Sequence, residues 1–127
     1  MKKVVLVILI VFLGFTVQAQ HKINASINSS CVSQPANLVV PSGKTASAFA
    51  INTLVAGNNC YSGAAFTNKG FVIKAANGNI VYRYNRDGNG KVQESGAKLS
   101  SLKLGAGNYT VWVDGGIGAQ LVLSYRI

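Results

Sequence analysis

At 127 residues the chain has room for one domain with one core, and twelve Lys and Arg against three acidic residues give it a formal charge of +9. One histidine, three carboxylates and two cysteines leave little for acid–base, nucleophilic or metal chemistry. The basic residues are scattered rather than clustered, which argues for solubility and attraction to anionic surfaces, such as lipopolysaccharide or acidic glycans, and against specific nucleic-acid recognition.

Lys2 and Lys3 precede an apolar run from Val4 to Phe15 broken only by Gly14, and Val17-Gln18-Ala19 follows before Gln20. This is the three-part pattern of a secretory signal of bacterial look, so cleavage near Ala19 is expected, with 20–127 as the secreted domain, extracellular or periplasmic. The run is short for a membrane span, which needs about 20 residues. No cysteine stands at the cleavage point for a lipid anchor, and no second long apolar run follows, so the mature chain is not expected to span a membrane. Loss of Lys2 and Lys3 lowers the charge to +7. Export places Cys31 and Cys60 where disulfides persist, and two cysteines allow one intramolecular pairing. Neither has a nearby histidine or a C-x-x-C partner, so a structural bridge is expected. The Asn-x-Ser/Thr matches at Asn24, Asn28 and Asn108 are discounted with a bacterial signal.

Ile23, Ala25 and Ile27 alternate within a polar stretch and predict a first strand. Pro35 and Pro41 bracket a short strand over 38–40 and hold it near a sheet edge. From Lys44 to Ile51, Thr45, Ser47, Phe49 and Ile51 alternate with Ala46, Ala48 and Ala50, again period 2. Residues 57–63 have turn chemistry throughout and read as a surface loop tied down by Cys60 and carrying Tyr61 outward. Phe71, Ile73 and Ala75 then oppose Val72 and Lys74. Asn77-Gly78 makes a hairpin turn, and Ile80, Tyr82 and Tyr84 return against Val81 and Arg83. Asp87-Gly88-Asn89-Gly90 is a second turn, after which Val92 starts a short strand. Tyr109, Val111 and Val113 alternate with Thr110, Trp112 and Asp114. Beyond Gly115-Gly116, Leu121, Leu123 and Tyr125 alternate with Val122, Ser124 and Arg126. Two period-2 runs about a glycine turn read as a terminal antiparallel hairpin. About seven to nine short strands with Gly or Asn turns between them predict an all-β, jelly-roll-like antiparallel sandwich with one disulfide.

The cadence LSSLKLGAGNYTVWVDGG…AQLVLSY over 99–126 places a leucine-bearing strand before a Gly-x-Gly turn, then Tyr-x-Val-x-Val, a glycine break and Leu-x-Leu-x-Tyr. It resembles the end of the bacterial pre-peptidase C-terminal type of β-sandwich and of jelly-roll carbohydrate-binding modules, firmly over the last quarter and loosely over 70–127. The resemblance implies a non-catalytic accessory domain that binds glycan or a cell surface, sometimes with calcium.

No catalytic group is expected. His21, the one histidine, sits beside the cleavage point in a mobile end, so a Ser/His/Asp triad has nothing to work with. Asp87, Glu94 and Asp114 are the only carboxylates for a glycosidase pair. Asn85 to Gly90 mimics the start of an EF-hand loop, with oxygen ligands at positions 1, 3 and 5 and glycine at 6. Its closing position is Gly96, Glu94 comes two residues early, and Arg86 and Lys91 oppose a cation. A turn is therefore expected; Asp87 and Asn89 are weak metal candidates, and neither calcium nor another cofactor is required. Tyr82, Tyr84, Tyr109 and Tyr125 lie on the apolar sides of their strands and read as core, hydroxyls at the rim. Tyr61 in its loop and Trp112 on a polar side are the aromatic binding candidates. Lys74, Arg83 and Arg126 also lie on the less apolar sides. If their strands join one sheet, its outer face carries a tryptophan among basic groups, able to stack a sugar ring and pair with its carboxylate or sulfate. A bulge near Gly115 would instead swing Trp112 inward. The expected function is binding of a polysaccharide or an anionic cell-surface component. The alternatives are a structural or adhesive subunit self-associating through edge strands, and a basic secreted inhibitor or toxin of another protein.

Overall fold

The computed structural model describes residues 19–127, so the expected signal lies, apart from Ala19, outside the described residues. Nine strands follow in order: β1 (Gln20–Ile27), β2 (Ser33–Gln34), β3 (Ala36–Val40), β4 (Ser47–Val55), β5 (Lys69–Ala75), β6 (Ile80–Arg86), β7 (Val92–Glu94), β8 (Gly107–Val113) and β9 (Gln120–Arg126). A 3-10 turn, Leu99–Ser101, lies between β7 and β8. All ladders are antiparallel; one sheet has the order β2-β1-β9-β4 and the other β3-β8-β5-β6-β7. No described helix is long and apolar enough to cross a membrane.

The alternation read in the sequence determines which side chains meet between the sheets. Ala25, Ile27, Phe49, Leu121, Leu123 and Tyr125 come from the first sheet. They pack against Leu38, Val40, Phe71, Ile73, Tyr82, Tyr84, Val111 and Val113 of the second, giving the antiparallel sandwich that the pattern requires. Leu99, Leu102 and Leu104 add apolar cover to the same core. Two of the three buried tyrosines keep their hydroxyls at polar partners: Tyr82 donates to Glu94, and Tyr84 accepts from Arg86 Nη2 at 2.9 Å. The Asn77-Gly78 hairpin forms as expected, with Gly78 at φ 87°. The Cys31–Cys60 disulfide joins the β1–β2 turn to the β4–β5 loop.

The terminal hairpin does not form. β8 pairs with β3 and β5 in one sheet, β9 with β1 and β4 in the other, so the chain changes sheets between them. The backbone of 56–58 determines this path. Gly116 donates to Ala56 O at 2.9 Å, and Asn58 and Ile117 exchange backbone hydrogen bonds at 3.0 and 2.8 Å. A Cβ at Gly115 or Gly116 would overlap the carbonyl oxygen of Ala56 or Asn58, so the two glycines let the connection lie against that segment.

Two further departures are local. In β4 the register against β9 shifts between Ser47/Ala50 and Ile51/Thr53, and Ala48 adopts φ 53°. These irregularities reset the alternation, burying Ala46 and Phe49 three residues apart. His21 is not in a loose end: it is the second residue of β1, pairs with Tyr125 and stacks on its ring at 5.2 Å.

Candidate functional site

The order β8-β5-β6 places Trp112, Val72 and Arg83 in one cross-strand row, with Thr110 and Lys74 paired beside it. Each alternates with core residues, so the row lies on the outer face of the five-stranded sheet. Trp112 is half-buried and lies low on that face. Its Nε1–H donates to Thr110 Oγ1 at 2.9 Å, and Lys74 Nζ stands 4.8 Å from its ring centroid, a cation–π distance. Val72 points outward yet is only 5% exposed, as expected of a small side chain flanked by Trp112 and Arg83. No bulge turns Trp112 inward, because β8 keeps an unbroken register with β5 from Ala75↔Tyr109 to Phe71↔Val113.

Asp114 closes the row at the end of β8. Its N–H donates to Gly70 O at 2.9 Å, and its Oδ2 lies 2.9 Å from where a Gly70 Cβ would stand. The residue as a whole is exposed, but its carboxyl is laid against the sheet over Gly70. Burial raises that carboxyl above the ordinary carboxylate range, and the nearby Arg83 guanidinium pulls it back in part. The face thus combines an aromatic ring, two cations, a hydroxyl and a carboxyl group that holds its proton more tightly than usual.

Arg126 does not join this group. β9 belongs to the other sheet, where Arg126 pairs with Gln20 and Ser47. Tyr61 stands apart as well, 98% exposed at the tip of the β4–β5 loop. That tip is fastened by the disulfide and by Asn59 Oδ1, which accepts the N–H groups of Tyr61 and Ser62 at 2.9 and 3.1 Å. Asn28 Oδ1 fixes the neighbouring β1–β2 turn, accepting from Ser30 and Val32 at 3.0 Å. Val32, Phe66 and Ile117 are also exposed on these loops, and residues 28–33, 55–68 and 115–120 contain no charged side chain. These uncharged loops of a basic protein are visible as charge-free windows in the sequence; the β6–β7 turn, with Arg86, Asp87 and Lys91, lies against Thr67 at the same end and supplies its charge.

Asp87 and Asn89 form a turn. Asp87 Oδ1 accepts the N–H groups of Asn89 and Lys91, both at 2.9 Å, so the oxygen an EF-hand loop would give to calcium closes the backbone instead. Among the described residues no three of His, Cys, Asp and Glu come together. No protein-family model, no curated protein and no solved structure matches the chain.

Proposed function

We propose that the domain is a non-catalytic binding module that takes an acidic polysaccharide, or another anionic surface component, on the outer face of β8, β5 and β6. The observation that carries this reading is the Trp112 ring with Lys74 Nζ at 4.8 Å and Arg83 in the same cross-strand row. The ring offers a stacking surface to a sugar, and the two cations offer charge-assisted bonds to its carboxylate or sulfate. A sheet face suits a chain laid across it better than a single small molecule. The non-catalytic part rests on the dispersal of reactive groups. Asp87 closes a turn, Glu94 bonds Tyr82 and Leu99, Asp114 lies over Gly70, and His21 stacks on Tyr125.

Most of the sheet edges favour binding over self-assembly. β2 has two residues, β7 has three, and β3 has five held between Pro35 and Pro41. β4, a long edge, carries two register shifts and Ala48 at positive φ, while Gln20 to Ala25 of β1, beyond the two-residue pairing with β2, form an open stretch of edge. Short, proline-flanked or bulged edges are those that resist strand addition.

Trp112 is the only tryptophan, so its emission reports this face directly. Titration with alginate or a sulfated glycan at low and at moderate salt should give a saturable emission change. It should weaken but persist as the Debye length falls toward about 8 Å. Lys74→Gln and Arg83→Gln should each weaken it with the melting temperature unchanged. Emission that responds to no acidic polysaccharide, or binding indifferent to both substitutions, refutes the proposal.

A further inference from the structure

A shallow, open concavity of about 520 Å³ lies where β4 faces β6 and β7 beside the 3-10 turn. That volume lies within the range of small-ligand sites, roughly 300–1,000 Å³. Its apolar wall includes Ile51, Tyr84 and Val92; its polar lining is Glu94, Lys98 and Ser100. Glu94 is the organising group. Its Oε2 accepts both the Tyr82 hydroxyl and the Leu99 N–H, which ties β7 to the turn. Burial and this bond push the Tyr82 phenol well above its ordinary range, so it remains a donor and holds the carboxylate in place. The other oxygen, Oε1, makes no hydrogen bond among the described residues. Since no buried polar side-chain atom there lacks a partner, Oε1 is open to solvent. The cleft therefore presents a fixed, solvent-open carboxylate oxygen beside an ammonium, a hydroxyl and an apolar wall.

Each class of ligand meets these groups differently. A cation would gain Glu94 but face Lys98, with Arg86 at the rim through the Tyr84 hydroxyl. An anion would gain Lys98 but leave the Glu94 oxygen opposite a like charge. A neutral sugar ring satisfies all of them. Its hydroxyls donate to a carboxylate oxygen and accept from an ammonium, and its C–H face needs an apolar wall. We infer that this cleft is a binding site for a neutral saccharide, with hydroxyls donating to Glu94 Oε1 and accepting from Lys98, and the ring lying on the exposed Val92 and on Ile51. The site is separate from the Trp112 face and stands whether or not that face binds polysaccharide.

The test is an amide-resolved NMR titration of the secreted protein with glucose, galactose, mannose, N-acetylglucosamine and their β-linked trisaccharides. At least one should shift the Glu94, Leu99 and Ser100 amides saturably while Trp112 is unmoved. Glu94→Gln keeps an oxygen for Tyr82 and Leu99 but replaces the open acceptor by a donor, and should weaken binding about tenfold or more. Should that variant fold poorly, Lys98→Met, at an exposed position free of the Glu94 bonds, should weaken the same shifts. Lys74→Gln should leave them unchanged. The inference is overturned if no sugar shifts these amides at tens of millimolar, or if Glu94→Gln and Lys98→Met bind as the parent does. It is also overturned if acetate, methylammonium or glycine moves the same amides more strongly than any sugar. Failure of the outer-face reading would show separately, in Trp112 emission.

Discussion

Replacing Gly116 by alanine probes the change of sheets between β8 and β9. The new methyl group would overlap the carbonyl oxygen of Asn58. Asn58 is poorly placed to retreat. It is bonded to Ile117 through both its N–H (3.0 Å) and its carbonyl (2.8 Å), and it bridges to Ala65 on its other side. Making room would break that pair and the Gly116 N–H to Ala56 O bond of 2.9 Å. Three backbone bonds at about 1 kcal/mol net each, with about 1–3 kcal/mol for overpacking, give a loss of roughly 4–6 kcal/mol. For a domain of this size, that lowers the melting temperature by about 20 °C or more. Gly118 is the control: it lies two residues away at φ 84° with no atom within 4 Å of an added Cβ. Gly118→Ala meets only the left-handed backbone penalty of about 1–2 kcal/mol. Thermal unfolding followed by circular dichroism distinguishes the two. If they melt within a few degrees of each other, the connection does not pack against 56–58 as described, and the reason given for the missing hairpin fails.

The Cys31–Cys60 bridge closes a loop of sequence separation 29, for which chain entropy gives about 3.5 kcal/mol. Free-thiol labelling of unreduced, denatured protein should find nothing, and reduction should lower the melting temperature by about 15 °C; two labelled thiols, or an unchanged melt, would contradict this. Asp114 has its carboxyl raised above 3.8, so in the interval above that value the folded state holds more protons than the unfolded one and stability falls as pH rises. Asp114→Asn should therefore be more stable than the parent at pH 7 and lose that advantage as pH falls below the ordinary carboxylate value. Melting at pH 3, 5 and 7 checks the sign, and an equal gain at all three would rule it out.

A period-2 run reports which side chains face inward, not which strand lies alongside. Tyr109, Val111 and Val113, like Leu121, Leu123 and Tyr125, turn inward as alternation demands, so the sandwich was legible. The hairpin was not, because the partners of β8 and β9 are chosen by distant segments: 36–40 and 69–75 for one, 20–26 and 47–55 for the other. The placement of Trp112 with Lys74 and Arg83 was legible for the same reason, and Arg126 was lost from it for the same reason. The disulfide followed from the expected export and the cysteine count, and the outward Tyr61 from the turn residues around it. Glu94 read as a carboxylate for a glycosidase pair or an early EF-hand position and not as a structural anchor, since Tyr82 and Leu99 reach it through a hairpin and a 3-10 turn that periodicity does not register. In 44–51 the pattern looked regular because alanine fits either face, which conceals a bulge.

The distribution of charge along the sandwich gives the molecule a direction. Lys44, Lys98 and Lys103 lie in the loops at the end opposite the disulfide, with Lys22 and Arg126 on the adjoining strand ends, whereas the loops around Cys31, Cys60 and Ile117 carry no charge. β4 alone, with nine residues, spans about 30 Å, roughly three to four Debye lengths at physiological salt. Near an anionic layer the lysine-bearing end is drawn more strongly than the disulfide end, where Lys69, Arg86 and Lys91 are offset in part by Asp87 and Asp114, and the resulting torque turns the lysine-bearing end toward the layer before any short-range contact forms. A molecule held this way carries Tyr61 outermost, on a tip too far from the layer to be influenced by it. Added salt would remove this alignment at concentrations where individual contacts still hold, leaving the protein attached but randomly oriented.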